Sequence, residues 1–154
     1  MKQINITKNQ IALVDDQDYD YLSQYKWHAQ WNKYTRSYYA VRNEGRTAIL
    51  MHREILNTPS HLLCDHEDHN TLNNQRYNLR NVTQSQNQMN RKLNINNTLG
   101  EKCISRSGTG FRVQIEKDGK FVFRKSYRNL SDAISARDEE IQKHHGEFAF
   151  ISSK

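Results

Sequence analysis

The sequence predicts an α+β protein of short antiparallel strands and short helices, arranged in two domains. Two observations carry this. "FRVQIEK" and "KFVFRKSY" alternate apolar and polar residues on either side of Asp118-Gly119, and the amphipathic "NLSDAISARDEEIQKHHG" follows them. Period-two alternation marks half-buried strands, and Asp-Gly marks a tight hairpin. Further upstream, "QIALVDDQDYDYLSQYKWHAQW" and "SYYAVRNEGRTAILMHREIL" break into short strand-like and helix-like runs.

The first segment runs from about Met1 to Asn57. It reads as a strand, an acidic turn, a short helix with caps offered by Asp15 to Asp18, and another strand. Leu22, Tyr25 and Trp27 form its core side. A hairpin is expected around Asn43-Glu44-Gly45, then a helical piece through Ile55. Pro59, the single proline, lies in the connection "NTPSH". The second segment covers about Ser60 to Lys92, and the polar bridge "KLNINNTLG" leads to the third, about Gly100 to Lys154. There "EKCISRS" is a short strand, followed by the two alternating strands. Asn129 caps the helix, whose stripe is Leu130, Ala133, Ile134, Arg137 and Ile141, and Gly146 ends it. The expected domains are 1–92 (a β-rich region over 1–59 and a site motif over 60–92), a linker 93–99, and 100–154.

The chain has 154 residues, a net charge of +6 and 35% hydrophobic residues. A small, basic, polar chain points to a polyanionic partner, with nucleic acid first. No apolar run approaches a membrane span of about 18 residues, and "MKQINITKNQ" has no signal core. The expected location is the cytoplasm, without a membrane partner. Cys64 and Cys103, the two cysteines, fit reduced thiols, and two cannot supply a four-cysteine zinc site.

The chemistry is concentrated in "CDHEDHNTLNNQRYNLRNVTQSQNQMNR", Cys64 to Arg91. Asp65 offers a carboxylate to a hard cation, and neutral His66 accepts a proton near pH 7. Near a strand end the two side chains point to opposite sides, which suits in-line attack on a phosphodiester. Asn73, Asn74 and Asn78 are suited to hold an irregular loop by bonding its backbone. "LRNVTQ" reads as the return strand, and Thr83 with Gln86 as a capping-box pair starting a helix. Asn87, in that first turn, has an amide oxygen available as a second, neutral metal ligand.

This stretch resembles the HNH endonucleases, particularly the phage and intron-encoded homing type. Asp65-His66, Asp68, Asn70, Asn78-Leu79-Arg80, Thr83-Gln84 and Asn87 match the family pattern in order. The resemblance implies a ββα-metal (His-Me finger) nuclease core. It implies Asp65 and Asn87 as ligands of one Mg²⁺ or Mn²⁺ ion per active site, and His66 as general base. Asn78 would shape the loop presenting His66; on electrostatic grounds, Arg80 or a nearby basic residue would meet transition-state charge together with the metal. His69 departs from the family, which usually has Gly there, so strain is expected in the turn. "ALVDDQDYDYLSQYKWHA", "YYAVRN" and "ILMHREIL" resemble the region preceding the motif in phage HNH proteins. Arg53 is a candidate phosphate contact, and His52 a buttress of the site.

The third segment resembles the DNA-binding domain of plant ethylene-response factors. "GTGFRVQIEKDGK" is similar to that family's second strand and turn, and "SDAISARDEEIQKHHGEFA" to its helix and tail. The resemblance implies major-groove reading by the exposed sheet face, through Arg112 and Gln114 with Arg106 nearby. Arg124-Lys125 stands where the family usually has Leu-Gly, which leaves Arg124's contact open.

The combined expectation is a DNA endonuclease, a nickase or a double-strand cutter, acting on double-stranded DNA and leaving 5′-phosphate and 3′-hydroxyl ends as the resembled family does, with no small-molecule cofactor and with a monomer favoured over an oligomer. The alternatives are a sequence-specific DNA-binding protein without nuclease activity, and an RNA-binding or RNA-cleaving protein.

Overall fold

The computed structural model describes residues 1–91, 93 and 96–149. The expected boundary at Lys92, residues 94 and 95 of the linker 93–99 and the tail 150–154 lie outside them. The chain is a mixed α+β protein with several small antiparallel sheets. It divides into two compact units, Met1–Thr83 and Gln84–Lys154. The helix carrying Asn87, expected with the N-terminal domain, groups with the second unit. No helix of the described residues is long and apolar enough to cross a membrane.

In the first unit, β1 (Lys2–Ile6) and β2 (Gln10–Val14) form a hairpin. Ile4, Ile6, Ala12 and Val14 alternate into the core as a period of two requires. From sequence β2 is expected and β1 is not, since only Ile4 and Ile6 mark it. Asp15 has the extended backbone of an N-cap before α1 (Asp16–Leu22), yet its carboxylate does not cap the helix. Its two oxygens accept instead from Gln75 Nε2 at 3.1 Å and from the Arg76 amide at 2.7 Å. Leu22 and Trp27 are buried as expected, and Trp27 Nε1 donates to the Leu22 carbonyl at 2.8 Å.

A second sheet runs β3 (His28–Asn32), β4 (Ser37–Glu44), β5 (Thr47–Leu50). Glu44 pairs with Thr47, so the β4–β5 turn is Gly45-Arg46 and not Asn43-Glu44-Gly45. Gly45 has φ +59°, a conformation glycine takes without steric cost. The short α2 (Met51–Ile55) follows directly. Glu54 on α2 accepts two bonds from Arg42, at 3.0 and 2.8 Å, and one from Tyr21 Oη at 2.7 Å. These bonds fasten α1, β4 and α2 together. The unit ends in β6 (Leu63–His66) paired antiparallel with β7 (Leu79–Val82).

The second unit begins with α3 (Gln84–Asn90). Its sheet, in the order β10-β9-β8, consists of β8 (Ile104–Ser107), β9 (Gly110–Lys117) and β10 (Lys120–Tyr127), packed against α4 (Leu130–His145). Asp118 and Gly119 take φ +53° and +74°, the left-handed pair of the expected hairpin turn. Val113, Ile115, Ala133 and Ile141 form the core, and Gly146 closes α4 at φ +54°.

Candidate active site and sheet face

Asp65 and His66 are the last two residues of β6, as their place before a turn predicts. Arg53 on α2 positions this strand. Its guanidinium donates to the carbonyls of Leu62 at 3.0 Å, Thr58 at 3.3 Å and Pro59 at 3.1 Å, holding the segment that leads into β6. The expectation that Arg53 holds a phosphate gains no support from this geometry.

The loop after His66 is built from amides. Asn78, 1% exposed, accepts the Asp68 amide on Oδ1 at 2.9 Å and donates from Nδ2 to the Asn73 carbonyl at 2.8 Å. One side chain thus ties both ends of the loop. Asp68 Oδ1 accepts from the Asn70 amide at 2.7 Å, and Oδ2 from Asn73 Nδ2 at 2.8 Å. The loop is also pinned to the rest of the unit. The Leu13 amide donates to the Leu72 carbonyl and the Asn74 amide to the Leu13 carbonyl, each at 2.8 Å. Arg76 clasps the Asp18 carboxylate with two bonds, at 2.8 and 2.7 Å. His69 has φ +61°, a left-handed backbone that costs a side-chain-bearing residue about 1 kcal/mol. The strain expected at this turn is therefore local to His69.

His66 is 5% exposed. Its Nε2 lies 3.4 Å from Asn74 Oδ1, while Asn74 Nδ2 donates to the Leu72 carbonyl at 3.1 Å. With its NH₂ so engaged, Asn74 presents an acceptor to His66, an arrangement that favours the tautomer protonated on Nε2. The lone pair is then on Nδ1. Burial pushes the His66 imidazole below its ordinary pKa, against the opposing pull of Asn74, Asp65 and Asp68. A neutral imidazole of fixed tautomer is suited to accept a proton at neutral pH.

Two rings back it. His52 on α2 lies 4.9 Å from His66 between centroids, and Tyr39 on β4 lies 6.1 Å away. His52 is 5% exposed, and burial, then His66 and Arg53, push its pKa down to about 3. It is an uncharged wall behind His66. Burial also pushes the Cys64 thiol up to about 11, so Cys64 is protonated at neutral pH.

Asp65 pairs with Arg80 directly across the β6–β7 ladder. Arg80 donates to Asp65 Oδ2 from Nε at 3.1 Å and from Nη2 at 3.0 Å, and its Nη1 lies 3.8 Å from Glu67. Both members of the pair are largely shielded, at 17% and 11% side-chain exposure. Asn87 sits half-buried on α3, in the second unit. Among the described residues no group of three or more His, Cys, Asp or Glu is placed to hold a metal. An Asp–Asn donor set is of a different kind. A carboxylate oxygen and an amide oxygen suit a hard cation that keeps most of its water and takes substrate oxygens, which is the habit of Mg²⁺. Each of the two residues, taken by itself, carries an oxygen donor of that kind.

On the second unit's sheet, register sorts the candidate DNA contacts. Arg112 pairs with Ser105 and Ser126, and Gln114 with Arg124. These residues share the face turned away from α4. Arg124 reaches that face through a bulge between Phe121 and Phe123 that shifts the register. The bulge turns Phe123 inward, opposite Ile115, and Arg124 outward. Arg106 pairs with Phe111, on the face of Val113 and Ile115, so the sheet does not bring it together with Arg112. Glu116 lies on the outward face opposite Phe121, and one end of that face borders a cleft of about 470 Å³ that Ser85 and Gln88 of α3 also line.

Comparison with protein-family models, curated proteins and solved structures finds no match to this chain.

Proposed function

We propose that this chain is a divalent-metal-dependent DNA endonuclease of the HNH type, with β6, its loop and β7 as the two-stranded part of a ββα-metal element. The observation that carries the reading is His66 itself: buried, neutral, and held by Asn74 as the Nε2-protonated tautomer at a strand end beside Asp65. In this mechanism His66 Nδ1 takes a proton from the attacking water, and His52 and Tyr39 keep the ring dry and in place. Asn78 holds the loop shape that fixes the angle of His66. Asp65 would be a ligand of Mg²⁺ or Mn²⁺, with Asn87 as the second ligand that the HNH resemblance implies. The ion supplies stabilisation of negative charge on the leaving oxygen. Arg80, next to Asp65, stabilises charge on the phosphate in the transition state. The second unit supplies affinity for double-stranded DNA through Arg112, Gln114 and Arg124, in the manner of an ethylene-response-factor domain. Arg53 and Arg106 are assigned no DNA contact.

The test is cleavage of end-labelled duplex DNA. The reading expects products with 5′-phosphate and 3′-hydroxyl ends, formed with Mg²⁺ or Mn²⁺ and not with EDTA. Cleavage that persists in EDTA overturns it. A second reading, a sequence-specific DNA-binding protein without nuclease activity, draws on one observation: Arg80 already occupies Asp65 Oδ2. Binding without cleavage in both metals favours that reading.

A further inference from the structure

The β3–β4 hairpin presents aromatic rings and positive charge together. Trp31 is 49% exposed and Tyr34 is 86% exposed. Trp31 packs edge-on against Tyr38 at 4.9 Å, Lys8 Nζ lies 5.3 Å from the Tyr38 ring, and Lys33 Nζ lies 5.0 Å from Tyr34. Arg36 completes the tip. No Asp or Glu occurs between Lys26 and Asn43. Among the described residues, the ion pairs of the first unit do not include Lys8, Lys33 or Arg36. The acids of the region are gathered on and before α1, where Asp15 and Asp18 bind Gln75 and Arg76. Strand β4 connects this surface to the site. The Tyr38 carbonyl accepts from Thr71 Oγ1 of the His66 loop at 2.6 Å, and the next residue, Tyr39, packs on His52 and His66.

We infer that this hairpin docks unpaired bases of a DNA strand, with Trp31 and Tyr34 as stacking surfaces and Lys8, Lys33 and Arg36 on the phosphates. The inference rests on the nuclease reading and extends it, because it makes locally melted DNA the substrate form next to the cut. Stacking tolerates any base, since every base has a π-face, and basic side chains follow the backbone. Duplex DNA keeps its base faces covered.

Tryptophan emission reports on this unit alone, because Trp27 and Trp31 are the only two and Trp27 is 5% exposed. The full chain is titrated with an oligothymidylate in EDTA, so that cleavage plays no role. The inference expects quenching in the wild type and its loss in Trp31→Phe. Trp31→Ala weakens oligonucleotide binding about 10-fold. The pair Lys33→Ala and Arg36→Ala lowers the slope of log affinity against log salt by roughly 1 to 1.5. Heparin, a polyanion without bases, leaves the emission unchanged. Unchanged emission with oligonucleotide bound, as followed by anisotropy of a labelled strand, overturns the inference. So does equal quenching by heparin. Quenching in a protein that never cleaves DNA leaves the hairpin contact standing and overturns the nuclease reading instead.

Discussion

Arg80 places two donors, Nε and Nη2, on a single oxygen of Asp65, at 3.1 and 3.0 Å across the β6–β7 ladder. In the proposed mechanism this carboxylate is also a metal ligand, so the guanidinium and the cation compete for it. Arg80→Ala removes the competitor and the stabiliser of phosphate charge together. The expected outcome is a Mg²⁺ midpoint about 3-fold lower or more, with a maximal nicking rate down about 10-fold or more. A Mg²⁺ titration of the nicking rate separates the two effects. An unchanged midpoint contradicts the competition.

Asn74 Oδ1 faces His66 Nε2 at 3.4 Å, which favours the Nε2-protonated tautomer. In ¹⁵N spectra of histidine-labelled protein, His66 is expected to show a protonated Nε2 and an unprotonated Nδ1. Burial lowers the His66 pKa, so nicking should hold at its plateau at pH 7 and decline only below the ordinary histidine value near 6.5. Asn74→Asp keeps an acceptor but adds negative charge, which favours the imidazolium. The acidic limb of its pH–rate profile should move to higher pH. Asn74→Ala should lower kcat about 10-fold or more with little change in KM. A tautomer and a pH profile that ignore Asn74 would leave His66 without its orienting partner.

His52 makes the first unit sensitive to acid. Its folded pKa is about 3 against an unfolded value near 6.5. Between these values the unfolded chain binds the extra proton, so stability is full above pH 6.5 and falls as the pH drops toward 3. The loss attributable to this residue is on the order of 4 kcal/mol at the acid end. His52→Phe should flatten unfolding free energy between pH 6.5 and 4, as followed by urea denaturation of the full chain. An equal slope in both proteins assigns the acid sensitivity to other groups.

The outward sheet face of the second unit sets a contrast between two arginines. Arg112→Ala should weaken duplex binding about 10-fold, within the 1–3 kcal/mol span of one base contact. Arg106, opposite Phe111 on the other face, should tolerate alanine with less than about 2-fold change. Deleting Val122, the extra residue between Phe121 and Phe123 where the register shifts, should regularise the strand while leaving Arg124 opposite Gln114, and so weaken binding less than Arg124→Ala does. Filter binding at two salt concentrations measures all three.

Elements set by neighbouring residues were legible in the sequence, and those set by distant ones were not. The Asp118-Gly119 turn, Gly146 and the alternation of β9 are local, and they stand where local chemistry predicts. The loop-holding role of Asn78 was also legible, because few other reasons place so many amides beside an aspartate-histidine pair. Asp15 looked like a helix cap, yet its partners are Gln75 and Arg76, far along the chain. Arg137 broke the apolar stripe of α4, and it is 2% exposed because Glu101 Oε2 and the Lys102 carbonyl accept from it at 2.9 and 2.8 Å. The face occupied by Arg106 depends on strand register, and that of Arg124 on a bulge. Neither can be read without the partner strand. Asn74 was one of three loop amides until the direction of its Nδ2 bond distinguished it.

The most direct measurement is nicking of supercoiled plasmid at low salt by wild type and by His66→Ala, each with Mg²⁺ and with EDTA. The account predicts nicking by the wild type in Mg²⁺ alone, and a rate lower by at least about 100-fold in His66→Ala, whose DNA affinity is retained. Undiminished nicking by His66→Ala, or a wild type that binds DNA and never nicks it with Mg²⁺ or Mn²⁺, contradicts the assignment of His66 as the general base of a metal-dependent nuclease.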